Sequence, residues 1–320
     1  MTMLPRGADP ALAHGHAALA EAEAVEIAPG GLLTGTKPRG MLRRGWEVFA
    51  ESRLALIGLG IVVFMLLFCF IGPLLYSTDQ VHTNLRNSLC TPGGSHLLGC
   101  DPVGYDVLGR LMTGGQTSLE VGFAAAAVSV LFGTLYGAIS GFVGGFVDSV
   151  MMRVVDAGLS IPYIMVIIIL SVIFHPNPAV MIFIISSFYW LGVARLVRGE
   201  TLSLRTREYV QAVKVIGGGR MRSVVRHIVP NAIGTIIVQA TFAVADAILT
   251  LSALGFLGLG VNAPATDWGS MLAAGLQYMQ GGGYWWLIYP AGFAIIITCI
   301  AFNFIGDALR DAFETRLQRR

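Results

Sequence analysis

Few residues of this 320-residue chain have the type and spacing to do chemistry, and the candidates point away from catalysis. Nucleotide hydrolysis needs a Gly-x-x-x-x-Gly-Lys-Ser/Thr cradle for phosphate. The two lysines, Lys37 and Lys214, stand outside any such setting, and the run Gly217-Gly218-Gly219 has no strand before it and no lysine after it, so it reads as a hinge. His14 and His16 form a His-x-His pair without a cysteine or further ligand nearby, which falls short of metal-site spacing. No metal and no nucleic-acid partner is expected. A hydrolase working among apolar segments would need facing aspartates or a Ser/His set; the one histidine beside such a segment is His175, next to Pro176. Cys69 and Cys299 lie inside apolar runs, as small filler.

The elements that must position any functional residue are membrane spans. With 55% hydrophobic and 12% charged residues and a mean hydropathy of +0.70, the chain is an all-α polytopic membrane protein rather than a soluble enzyme. Six spans are expected, at about 55–76, 119–141, 150–174, 179–196, 233–257 and 284–305. Lys37, Arg39, Arg43, Arg44 and Arg53 precede the first span; Arg195, Arg198, Arg205, Arg207, Lys214, Arg220, Arg222 and Arg226 fill the loop after the fourth; Arg310, Arg316, Arg319 and Arg320 follow the last. Basic residues avoid the translocated side, so both termini are expected in the cytoplasm. Residues 1–37 read as a disordered cytoplasmic tail with no run long enough for a signal peptide. Residues 38–53 read as an interfacial elbow helix, and 54–320 as the transmembrane domain, with an external loop at 77–118 and a cytoplasmic loop at 197–231. Cys90 and Cys100, ten positions apart in that external loop, stand where oxidation is possible, and spacing leaves a disulfide and two free thiols equally open.

Ionisable groups at membrane depth each need a reason, because insertion costs about 2.5–3.5 kcal/mol. Arg153 and Asp156, three apart, are expected to pair with each other. Asp246 has no such neighbour and shares its span with Gln239 and Thr241, so these three are the candidates for a water-filled path; a partner on another subunit explains Asp246 equally well. Gly133, Gly137, Gly141 and Gly145 repeat every four residues, a ladder for close helix packing. Residues 261–283 predict a short helix on the membrane surface, and Trp285-Trp286 an interfacial anchor.

Between spans four and five lies a polar segment whose second half reads as an amphipathic helix. Met221, Val224, Val225 and Ile228 fall on one face, Arg222 and Arg226 on another. The segment resembles the EAA loop of ABC-importer permeases: Glu208, then Gln211-Ala212-Val213 where the family has Glu-Ala-Ala, Gly217 at the glycine, and Ile228-Val229-Pro230 at the close. Collinear stretches extend the resemblance over most of the chain: Ser95 to Leu111, Gly141 to Asp156, Leu254 to Val261, Asp267 to Leu272 and Asn303 to Asp311. Together they are similar to the C-type permease subunit of dipeptide and oligopeptide importers. Where that family often has a glutamate late in the fifth span, this chain has Leu251, and Gly255 replaces a serine.

The resemblance implies a type I ABC importer permease fold and a transporter subunit in a bacterial cell membrane that passes peptides. It implies a homologous B-type permease beside it in the lipid, two ATP-binding subunits that carry ATP and Mg, and an extracytoplasmic substrate-binding protein. Residues 208–230 would be the coupling element seated on an ATPase. The alternatives are the same architecture importing nickel or another small solute, a passive channel, or an intramembrane enzyme.

Overall fold

In a computed structural model of the chain, residues 49–174, 177–208, 210, 224–279 and 283–314 are described. Among these residues, eight main helices follow one another: α1 Arg53–Phe70, α2 Val107–Val143, α3 Gly145–Ser160, α4 Tyr163–Phe174, α5 Pro178–Leu204, α6 Ile233–Phe256, α7 Trp268–Leu276 and α8 Tyr289–Glu314. Among the described residues, α1, α2, α5, α6 and the segment Trp285–Phe313 are each long and apolar enough to cross a bilayer, and α3 with α4 makes a sixth crossing if the bent pair counts as one. Several starts are written locally. Ser52, Asp106 and Asn177 accept the N–H groups of Ala55, Gly109 and Val180, which satisfies donors that the first helical turn leaves open.

Two expected spans change shape. The third is not straight: α3 and α4 meet at 78°, because Ile161, held extended by the following Pro162, cannot continue the helix. The second does not begin near 119. α2 has 37 residues, about 55 Å at 1.5 Å per residue against about 30 Å of hydrocarbon. Gly109, Arg110, Gly114, Gly115 and Gln116 dilute the hydropathy of its first turns, but the fold buries Gly114 and Gly115 against Thr266 and Trp268. The loop expected to be external therefore stops at Asp106, and the loop after α5 starts at Arg205 rather than 197.

The helices assemble on backbone approach. α2 and α5 run parallel: Ser129 meets Ser186, and Gly133, Gly137 and Gly141 face Trp190, Ala194 and Thr201 in turn. A Cβ on Gly133 would lie 2.7 Å from the Trp190 carbonyl oxygen and the Val193 Cβ. Gly145, the fourth glycine of the ladder, does not belong to it. α2 ends at Val143, and Gly144 and Gly145 take φ of 69° and 59° in the turn to α3, where a Cβ on Gly145 would meet nothing within 4 Å. α6 runs antiparallel to α2 and α8, with Gly122 against Ile248, Gly234 against Phe313 and Gly306 against Phe242, while α1 lies on α8 through Gly58 and Ala301. One end of the bundle thus gathers Arg53, Arg205 and Arg310 and is here called the basic end.

The opposite end carries a cap. Cys90 and Cys100 form a disulfide, while Cys69 and Cys299 are free and buried. Asp106 is its hub, bonding Tyr76 Oη and His96 Nδ1, each at 2.9 Å, besides capping α2. Asp101 accepts the N–H groups of Val103 and Tyr105; burial nevertheless raises its carboxyl above the ordinary range. α7, the short helix expected within 261–283, packs one face into the bundle. Trp268 is fully buried, donating its Nε1–H to the Leu111 carbonyl at 3.0 Å. Asp267, also fully buried, caps α7 through Ser270 N–H and takes Ser270 Oγ–H and Val261 N–H. Burial again pushes that carboxyl upward, with the donors opposing. Of the two tryptophans expected as anchors, Trp286 is buried and reaches the Cys100 carbonyl, leaving Trp285 exposed.

Gly137→Ala should lower the thermal midpoint in detergent, since its methyl collides with the Ala194 carbonyl, an overpacking cost of about 1–3 kcal/mol. Gly192→Ala on α5, where a Cβ meets nothing within 4 Å, should raise it by the helix-propensity gain of about 1 kcal/mol. Peptide mapping without reductant should recover Cys90 linked to Cys100. Reduction should cost about 3 kcal/mol by loop entropy for a ring of this length, read as a drop in the same midpoint.

Candidate functional site: the coupling footing and the polar stripe

At the basic end, α3 is tied to α5 by ion pairs. Arg198 forks onto Asp148, Nε to Oδ1 at 2.6 Å and Nη2 to Oδ2 at 2.7 Å, the planar geometry that guanidinium and carboxylate share. Ser140 Oγ donates to the same carboxylate at 2.5 Å, and Arg205 Nη1 donates to the Gly141 carbonyl at 2.9 Å. Asp156 pairs with Arg195 at 2.5 Å. The expected Arg153–Asp156 pair is therefore corrected: α3 lies along α5, which presents a guanidinium to Asp156, and Arg153 is exposed.

Beyond Arg205 the chain turns through Val210 N–H to the Arg207 carbonyl. Val210 is fully buried, and where the chain is described again, Val224 and Ile228 are buried too; all three belong to the main hydrophobic core, with Ala138, Phe142, Val193 and Val197. Glu208, Arg226 and Pro230 are exposed. Gln211, Ala212, Val213, Gly217 and Arg222 lie outside the described residues. Val224–Ile228 forms a wide π turn rather than the α turn the spacing suggested, next to Pro230, which lacks the N–H that would close an α turn onto Arg226. Val210, before segment 211–223, and Val224 and Ile228, after it, thus belong to the buried core, and α6 begins two residues after Asn231.

α6 presents the second element. Thr235, Gln239, Phe242 and Asp246 succeed one another by four, three and four residues, the repeat of one helical face. Glu200 of α5 accepts from Thr235 Oγ at 3.2 Å. A pocket of about 430 Å³ opens here, lined by Leu196, Glu200, Thr235, Val238, Gln239, Phe242, Arg310 and Phe313. Deeper along α6, Asp246 is exposed on the bundle surface, while its carbonyl accepts from Tyr189 Oη at 3.2 Å and that hydroxyl also meets Thr250 at 2.7 Å. Thr241 is not part of this face: two residues from Gln239, it is turned away by about 200°, and its hydroxyl bonds the Ile237 carbonyl of its own helix.

Sequence reading missed Glu200, hidden by its place at a polar helix end, and the Asp148–Arg198 fork, fifty residues apart in sequence. It also did not bring His96 to the disulfide, although the fold places their ligand atoms within 4.8 Å of one another. With Cys90 and Cys100 bonded together, neither sulfur is a thiolate for a metal.

Comparison with known proteins accounts for this arrangement. Residues 133–319 match the model described as binding-protein-dependent transport system inner membrane component, and residues 40–92 match the N-terminal TM domain of oligopeptide transport permease C. The dipeptide transport system permease protein of Bacillus subtilis (strain 168) is 39% identical over 274 residues, covering 86% of this chain and 85% of that protein. The oligopeptide transport system permease protein of the same organism is 39% identical over 271 residues, covering 85% and 88%. That of Escherichia coli (strain K12) is 41% identical over 270 residues, covering 84% and 89%. All three are named permeases and not enzymes. With several helices long and apolar enough to cross a membrane and a matched model over residues 133–319, the chain belongs to the binding-protein-dependent transport system inner membrane component family.

Proposed function

We propose that this chain is a permease subunit of an ATP-driven importer of di- or oligopeptides in a bacterial inner membrane. A homologous B-type permease stands beside it, two ATP-binding subunits supply ATP and Mg chemistry, and an extracytoplasmic binding protein delivers the peptide. The basic end faces the cytoplasm, in keeping with the arginines that precede α1, follow α5 and close α8. The observation that supports the reading is that Val210, before segment 211–223, and Val224 and Ile228, after it, are buried in the core shared by α2, α5 and α6, and in this reading a load on the segment passes to those helices.

Glu208, Gln211, Ala212, Val213, Gly217, Arg222, Arg226, Ile228 and Pro230 form the ATPase-coupling element in this reading, with Ile228 as an anchor and the polar members as the docking face. The α6 stripe forms one wall of the path, with Gln239 and Asp246 on it. A carboxylate on the outer surface of a spanning helix is tolerated against water or a partner and is costly against lipid. The B-type permease closes this side and leaves a wetted space.

Gly217→Trp should leave the complex assembled and reduce substrate-stimulated ATP hydrolysis at least about tenfold, a loss of about 1.4 kcal/mol in coupling; full stimulation in an assembled mutant would remove residues 208–230 from the docking role. Charge reversal of Arg222 and Arg226 to Glu should weaken ATPase association, with a difference from wild type that shrinks at high salt. Asp246→Asn keeps size and removes charge, so uptake of peptides with a free amino terminus should fall several-fold with assembly unchanged. Loss of the partner permease instead would make Asp246 an interface residue, and unchanged uptake and assembly would exclude both roles.

A further inference from the structure

The geometry points to a site for both termini of a short peptide in the pocket between α5, α6 and α8, an inference that rests on the reading of this chain as a peptide permease. The pocket holds one carboxylate and one guanidinium on different helices, Glu200 on α5 and Arg310 on α8. Gln239 and Thr235 of α6 add neutral polar groups, and Leu196, Val238, Phe242 and Phe313 give it apolar walls. A volume of about 430 Å³ lies within the range of small-ligand sites and suits a molecule of dipeptide size.

The chemistry of a zwitterion matches this lining. An α-ammonium group seeks an acceptor-only carboxylate such as Glu200, and an α-carboxylate is met in-plane by a guanidinium. Arg310 has further interactions of its own, and its five donors allow it to keep a neighbour while meeting a carboxylate. A neutral solute would engage neither charge, and a simple cation or anion would meet only one. The apolar walls take a side chain without selecting its identity, as a permease for mixed peptides requires. The pocket is also well placed for a departing substrate. It lies at the basic end, and Gln239 on its wall precedes Asp246 by seven residues, about 10 Å along the helix.

The test uses the assembled transporter in lipid nanodiscs without nucleotide. Ala-Phe, N-acetyl-Ala-Phe and Ala-Phe amide are titrated calorimetrically, without the binding protein. Ala-Phe should bind wild type at least about tenfold more tightly than either blocked form, the scale of one charged hydrogen-bonded contact. Glu200→Gln should weaken Ala-Phe by about the same factor and leave N-acetyl-Ala-Phe unchanged, and Glu200→Asp should restore most of the affinity. Arg310→Gln should weaken Ala-Phe and leave the amide unchanged. Equal weakening of all three ligands by either variant, or none, would overturn the site. So would loss of the partner permease on Glu200→Gln, which would make the pocket a subunit seam. Uptake of Ala-Phe into proteoliposomes by the wild-type complex with its binding protein separates the two ideas. Uptake with terminus-blind binding defeats only the pocket, whereas absence of uptake for any di- or oligopeptide defeats the peptide-permease reading beneath it.

Discussion

The backbone contact between α2 and α5 sets the geometry of everything at the basic end. Lipid offers no hydrophobic reward for bringing two apolar helices together, so association depends on how closely they can approach. Gly133, Gly137 and Gly141 remove the side chains that would hold α5 away. The resulting register places Arg198 where α3 presents Asp148, and Arg205 where α2 offers the Gly141 carbonyl. Shifting α5 by one turn would move it about 5.4 Å, enough to break both contacts and leave the Asp148 carboxylate without its fork.

From that seam, load can pass by contiguous packing. Val210, Val224 and Ile228 share a cluster with Ala138 and Phe142 of α2 and Val193 and Val197 of α5. Close behind Ile228 the chain enters α6, one face of which carries Thr235, Gln239, Phe242 and Asp246. In the proposed reading, a displacement of segment 211–223 bears on α6 through buried Ile228 and the short link 229–232, where Pro230 and Asn231 are exposed. The 78° bend between α3 and α4 lies to one side of this route, with α3 held to α5 by two ion pairs.

The other end is built differently. Its polar groups are not arranged along one face but gathered into hubs: Asp106 joins α2 to Tyr76 and His96, and Asp267 holds the turn after α6 to the first turn of α7. The Cys90–Cys100 bond and the Trp286 contact to Cys100 tie that loop to the start of α8. Three bonds on one buried carboxylate resist local opening better than the same bonds spread along a loop, because each partner is held in place by the others. Such a cap presents a fixed surface, while the pocket and the exposed Asp246 face leave room for a ligand or a second subunit.

Hydropathy and arginine placement alone determined a multi-helix membrane protein, because covering hydrocarbon demands long apolar runs and little else. Near the end of the segment read as a coupling element, the burial of Val224 and Ile228 and the exposure of Arg226 follow the apolar and polar positions in the sequence, although the turn there is π rather than α. Tertiary structure decided what depends on distant partners. α2 reaches back to Val107 because Trp268 and Thr266, about 150 residues away in sequence, cover glycines that hydropathy scores as polar. Asp156 takes Arg195 rather than its helical neighbour Arg153, and Asp148 takes Arg198, because α3 folds back along α5 after the break at Gly144 and Gly145. Glu200 becomes a pocket wall only when α6 and α8 arrive beside it. Sequence carries the periodicity that makes each helix, whereas the identity of its neighbours is a property of the packed bundle.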